Sequence, residues 1–288
     1  MNAAALMYHD VMPAGREDAS GFPGGDAARY KLTPAQFDDH LAAIRLKVNR
    51  PAGVIEDMDL EHGPAPLLLT FDDGGASATA IADRLERAGW RGHFFMTTAY
   101  LGRPGFLDAA RVRDLRRRGH AVGSHSYSHP LRMARLPIGR LRDEWMRSVA
   151  SLADVLGEPI HTASVPGGHH SFAVARAAAD AGIRFLFTSE PTIRIRRVAG
   201  TMVIGRYVVL RSTPAAVVAA VAAGSRVPRV RQLALWELKK VAKMIGGATY
   251  LTVRDRWLGR SRTVQWGDET RAPRAGTSAG PSMSKHAP

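Results

Sequence analysis

The chain has 288 residues, 45% of them hydrophobic and 23% charged, with no cysteine and a formal net charge of +14. That length supports a sizeable buried core, and the composition excludes a wholly disordered chain, a collagen and a disulfide scaffold. Without cysteine, any metal must be held by His, Asp or Glu.

The excess positive charge is uneven: residues 226–262 carry +8 of it. Such a stretch suits nucleic acid or an anionic membrane, but no nucleic-acid motif accompanies it, so nucleic acid is not an expected partner. Residues 1–7 lack the basic start of a signal peptide, and no apolar run is long enough to span a bilayer. The expected location is therefore the cytoplasm, with peripheral membrane contact through 226–262.

In chain order, 5–8 reads as a first strand, 20–29 as a Gly/Pro-rich loop, and Thr33-Pro34-Ala35-Gln36 as a capping box with Pro at the first helical position. Short apolar runs at 67–71, 93–97, 121–124, 162–165 and 184–188 then read as strands. Between them 77–88, 108–118, 139–156 and 172–181 read as helices, and Gly89, Gly119, Gly157 and Gly182 mark their ends. A β-branched run follows at 202–210, and Thr213-Pro214 opens a helix over 215–223. This alternation implies a mainly parallel sheet covered by helices, either a closed barrel or a doubly wound open sheet. The expected organisation is a 1–225 domain, a basic amphipathic helical extension over 226–262 and a disordered tail over 263–288. In the extension Trp236, Val241 and Ile245 alternate with Lys239, Lys240 and Lys243, and Trp257 follows Arg254 and Arg256. It reads either as a helical pair packed on the domain or as an anchor to anionic lipid.

Two clusters carry chemistry. The apolar strand ending at Thr70 runs into Phe71-Asp72-Asp73-Gly74-Gly75, which places two carboxylates where α/β folds put their active sites. The strand ending at Ser124 runs into His125-Ser126-Tyr127-Ser128-His129, whose two imidazoles at i and i+4 would share one face of a helical turn. Each cluster alone could be a polar turn. Together, one Asp and two His make a three-ligand set that leaves a position open for water, as a hydrolytic metal site requires.

Thr70-Phe71-Asp72-Asp73-Gly74 followed by His125-Ser126-Tyr127-Ser128-His129 resembles the first two motifs of the NodB-type polysaccharide deacetylases, carbohydrate esterase family 4. The resemblance covers about residues 4–223. It implies a distorted (β/α) barrel, usually of seven strands, and metal-dependent removal of acetyl groups from sugars. Carried over, Asp73, His125 and His129 hold one divalent metal, typically zinc, and Asp72 is the general base.

Later motifs depart from the family pattern. Where the third usually reads Arg-x-Pro-aromatic-Gly, this chain has Ser164-Val165-Pro166-Gly167-Gly168, so orientation of Asp72 must come from another residue or be weaker. The fourth motif has no match near Glu190. The fifth, Leu-x-His, is absent from 202–210, which offers Arg206 and no His; the usual acid is therefore missing. His9, in Met7-Tyr8-His9-Asp10, resembles the acid of the biofilm-polysaccharide branch, whose motifs are circularly shifted, and His169 and His170 are the other candidates. Gly167, Gly168 and His169 are expected to meet substrate or its oxyanion. His93 reads as a core histidine and Glu190 as a loop carboxylate.

The activity expected from the resemblance is hydrolysis of an N-acyl sugar or glycan intermediate, a lipid-linked one being favoured by the basic stretch. The alternatives are a deformylase on a lipid-linked amino sugar and a non-catalytic glycan-binding protein on the same barrel.

Overall fold

The computed structural model describes residues 1–168 and 170–234. Its elements are β1 (Ala4–Tyr8), α1 (Gly25–Ala28), α2 (Pro34–Lys47), β2 (Leu67–Phe71), α3 (Ala78–Arg87), β3 (His93–Met96), α4 (Ala109–Arg117), β4 (Ala121–Ser124), α5 (Ile138–Leu156), β5 (Thr162–Ser164), α6 (Phe172–Asp180), β6 (Phe185–Thr188), β7 (Arg196–Val198), β8 (Thr201–Gly205), β9 (Tyr207–Val208) and α7 (Ala215–Ala222). The expected basic extension and tail lie, from residue 235 onward, outside the described residues.

The sheet order is β7-β8-β6-β5-β4-β3-β2-β1-β9. All pairings are parallel except β7 with β8. The single run 201–208 pairs with β6 through its first half and with β1 through its second. It changes partner at Arg206, and so joins the two edges of the curled sheet. This is the expected seven-position parallel barrel, with β7 added as a hairpin arm.

Strand alternation sorts the core into two layers. Ala5, Leu68, Phe95, Phe187 and Ile204 form a small cluster. Leu67, Leu69, Phe71, Phe94, Leu186 and Val203 belong to the larger cluster, which includes helix residues such as Leu85, Leu115, Trp145 and Val174. The strands are covered on both faces, which is why they read as continuous apolar runs rather than as alternating ones. The period of two places Thr70 and Asp72 in line with Leu68, and Arg206 in line with Ile204.

The capping box of α2 is present on both sides, Thr33 Oγ1 accepting from the Gln36 N–H and Gln36 Oε1 from the Thr33 N–H. At α7 the expectation shifts by one: Pro214 occupies the cap position, and Thr213 Oγ1 instead accepts from the Leu210 N–H. The 20–29 loop contains one short helix, α1. Both 202–210 as a single strand and the omission of β7 are corrected by the break at Arg206 and by the hairpin turned through Ala199 and Gly200, both at positive φ.

Candidate active site

β2 delivers the carboxylates. The Asp72 N–H continues the ladder, donating to Tyr8 O at 3.0 Å, so Asp72 keeps the inward face of the strand. Asp73 leaves the ladder at φ 78°, and its carboxylate meets the two histidines: Oδ1 lies 3.5 Å from His125 Nε2 and 3.5 Å from His129 Nε2.

The histidines do not share a helical face, as their spacing predicts. His125 follows β4 directly, its N–H donating to Met96 O at 2.8 Å. The chain then turns through left-handed conformations at Ser126 (φ 64°) and His129 (φ 60°). Local hydrogen bonds hold that turn. The His129 N–H donates to Ser126 Oγ, and buried Glu144 of α5 accepts from both the N–H and the hydroxyl of Ser128 at 2.8 and 2.6 Å.

The Arg-shaped gap at Ser164 is filled from two directions. Arg206, fully buried, donates to both oxygens of Asp72 at 2.7 and 2.9 Å, and its remaining bonds go to Thr70 Oγ1 and Thr188 O. Such a two-pronged pair fixes the carboxylate plane as well as its charge. Ser164 Oγ donates to Asp72 Oδ1 at 3.0 Å, while His125 Nδ1 faces the Ser164 carbonyl oxygen at 3.1 Å. Ser164 Oγ also lies 2.5 Å from Nδ1; with its own proton given to Asp72 it accepts there, as the carbonyl must, so the His125 proton sits on Nδ1 and the Nε2 lone pair points toward Asp73.

The environment drives the two adjacent carboxylates apart. Burial alone would raise both. At Asp72 the charge of the Arg206 guanidinium and its hydrogen bonds outweigh burial and hold the carboxyl well below its ordinary range. At Asp73 burial dominates, the carboxylates of Asp72 and Asp10 add to it, and the group is pushed up to about 7. Burial also depresses His125 to about 3 and His129 to about 4, which keeps both imidazoles neutral.

These residues fit a metal ion. A buried carboxylate short of positive charge stands with two neutral imidazoles, all three donor atoms lying within 4.8 Å of one another. The 3.5 Å separations match the edge of a tetrahedron with bonds of about 2.1 Å.

The remaining predicted residues distribute as follows. His9 packs on Tyr30 at 4.7 Å between ring centres, the rings tilted by 47°. Its buried Nδ1 has no protein partner among the described residues. Phe22 packs on His129 at 4.7 Å and is held there by buried Lys31, whose ammonium donates to the carbonyls of Glu17, Ser20 and Phe22. Gly168 packs so closely on Ser189 that a Cβ would lie 1.9 Å from the serine Oγ. Its N–H donates to Val165 O, so this donor closes the turn instead of serving an oxyanion, contrary to expectation. Gly167 is exposed at the tip of the turn, and His169 lies outside the described residues. His170 is half-buried beside Glu190, which pairs with Arg196 as a loop carboxylate would. His93 is buried in the core and accepts the Ile55 N–H.

Arg206, Glu144 and Lys31 are the site residues missed as such. Their partners lie 134, 16 and 9–14 residues away in sequence. The one available signal was an arginine two residues after Ile204, on the inward face of a β-branched run.

Solved structures with the same fold include a polysaccharide deacetylase from Bacillus cereus, BC0361 (TM-score 0.64, 18% identity, 77% of this chain and 69% of that one). IcaB from Ammonifex degensii gives 0.63 at 20% identity, covering 79% and 97%. A de-N-acetylase from Aggregatibacter actinomycetemcomitans gives 0.61 at 19% identity, covering 74% and 97%. No curated protein matches the sequence. The family model described as polysaccharide deacetylase matches residues 60–186, the stretch that carries Asp72, Asp73, His125 and His129. Residues 60–186 thus match the polysaccharide deacetylase family, whose members are amide hydrolases, and the fold around them is the one those solved structures share.

Proposed function

We propose that the protein removes an N-acyl group, acetyl in the first instance, from an amino sugar of a glycan, using a divalent metal held by Asp73, His125 and His129. The observation that supports this most is the division of labour between adjacent carboxylates. Asp73 faces two neutral imidazoles, and Asp72 is turned away from them into the grip of Arg206. The mixed nitrogen and oxygen donor set suits zinc. When bound, the metal would polarise the amide carbonyl and acidify water.

The chain's own groups supply the rest. Asp72, kept ionised, accepts a proton from the attacking water. The new C–O bond and the broken C–N bond leave acetate and an amine, and the amine departs only if it gains a proton. His9, which follows β1 beside the Asp72 end of β2, is the acid, and its buried Nδ1 has no partner among the described residues.

The test is release of acetate and formate from matched N-acetyl and N-formyl amino sugars, free and polymeric, by the metal-loaded enzyme. Acetate release that chelation abolishes supports the reading. Preferential formate release would reassign the acyl group, and release of neither acid would leave a glycan-binding protein.

A further inference from the structure

The rim of the barrel around the site is chemically lopsided. The three successive loops after β3, β4 and β5, residues 97–107, 125–137 and 165–171, contain Arg103, Arg132 and Arg135 and no Asp or Glu. All three arginines are exposed, and none is ion-paired among the described residues. The same rim presents two large apolar side chains to solvent: Leu131, two residues after His129, is 81% exposed, and Phe172, at the start of α6, is 66% exposed. Their loops adjoin, since a Cβ on Gly167 would lie 3.2 Å from Leu131 O. Leu131 therefore lies against the Pro166–Gly168 turn, with Arg132 and Arg135 following it in its own loop, and Phe172 follows that turn at the start of α6. Neither side chain holds the site together: His125 and His129 are fixed by Ser126, Glu144 and Ser164, and Phe172 projects from a helix capped by Ser171.

We propose that this rim, led by Leu131 and Phe172 and flanked by Arg103, Arg132 and Arg135, docks on an anionic lipid bilayer, so that the mouth of the active site faces the membrane interface. Charge complementarity selects the occupant. Apolar side chains among unpaired arginines match a surface that is acidic outside and hydrocarbon a few ångströms in. A soluble polyanion would satisfy the arginines and leave the leucine and phenylalanine in water. The inference is independent of the acyl group removed. It differs from anchoring by the basic stretch 226–262 because it names the end of the barrel that meets the lipid.

The absence of cysteine makes a direct test available. Full-length Leu131→Cys carries a polarity-sensitive fluorophore at the rim. Full-length Leu46→Cys carries it at the end of α2 near the opposite end of the barrel, where the side chain is 91% exposed. On vesicles of phosphatidylglycerol and phosphatidylcholine the label at 131 should shift to the blue and that at 46 should not, and neither should shift on phosphatidylcholine alone. Phe172→Ser and Arg132→Ser/Arg135→Ser should each weaken vesicle binding by about tenfold or more, increasingly so at low salt, without changing hydrolysis of a soluble amino sugar. Vesicle binding with no shift at 131 and no loss in the rim variants would place the contact elsewhere, in the basic stretch, and overturn the proposal. So would binding of soluble polyanions with no binding of vesicles. Because hydrolysis is read separately, failure of the docking and failure of the deacetylase reading are told apart.

Discussion

The two ends of the barrel solve the same geometric problem in different ways. At the end where strands begin, the chain enters β3, β4, β5 and β6 through left-handed turns assigned to Gly89, Gly119, Gly157 and Gly182, which adopt φ of 73–87° without strain. Charges there are paired in or near solvent: Arg116 with Glu158, and Arg118 with Asp83, Glu86 and Asp114. At the end where strands finish, glycines such as Gly74 and Gly168 are left-handed too, but so are three other residues, Asp73, Ser126 and His129, against Ala199 at the other end. Each of these costs roughly 1–2 kcal/mol relative to glycine. The charges at the site itself are buried, among them the pair of Asp72 with Arg206. Strain and buried charge are concentrated where side chains must converge on one point.

The largest effect expected from that difference is catalytic. Asp72→Asn removes a proton acceptor while keeping its shape, so kcat should fall by about 10²–10⁴-fold; a near-normal rate in this variant would assign the base elsewhere.

Next is the buried pair. Arg206→Met leaves the buried Asp72 carboxylate unpaired and should destabilise the fold by about 3–5 kcal/mol, with Arg206→Lys recovering part of it through one bond in place of two. This loss depends on pH. The Asp72 carboxyl is held below its ordinary value, so the stability contributed by the pair is full above the usual carboxylate pKa of about 4 and is lost as pH falls toward the folded value. The gap between wild type and Arg206→Met in denaturant unfolding should therefore be widest near pH 7 and narrow below about pH 4. A gap that widens in acid would contradict the assignment. Asp72→Asn/Arg206→Met should cost less than the sum of its parts, since the two share one interaction.

A smaller effect is expected behind the histidine turn. Glu144→Ala frees Ser128, so metal affinity should drop by about 10–100-fold with the fold intact, as for other groups that orient ligands. Competition with a chromogenic chelator measures it. Least of all, Glu158→Ala at the opposite end should cost under about 1 kcal/mol and leave the rate unchanged; a large loss of activity there would break the contrast between the two ends.

The same contrast governs what could be read from the sequence. Strand–helix alternation, the glycine stops and the α2 capping box are local, and all appear where the residues place them. Asp72-Asp73 and His125…His129 were legible as a set because strand ends in this architecture converge. Their local geometry was not. A helical turn is the ordinary way for residues four apart to meet, and here the left-handed Ser126 and His129 bring the imidazoles together instead. Arg206 was visible only as a missing histidine, because its meaning depends on a partner 134 residues earlier across a closed barrel. Likewise, Gly167-Gly168 suggested free backbone donors, whereas the Gly168 N–H is committed to its own turn.

The central claim is that neighbouring carboxylates have separate tasks, Asp73 for the metal and Asp72 for the proton. Metal content measured side by side in purified wild type, Asp72→Asn and Asp73→Asn, after loading with zinc and removal of excess, tests it directly. The account predicts about one zinc per chain in wild type and in Asp72→Asn, and close to none in Asp73→Asn. Equal zinc in all three, or loss from Asp72→Asn alone, would contradict it.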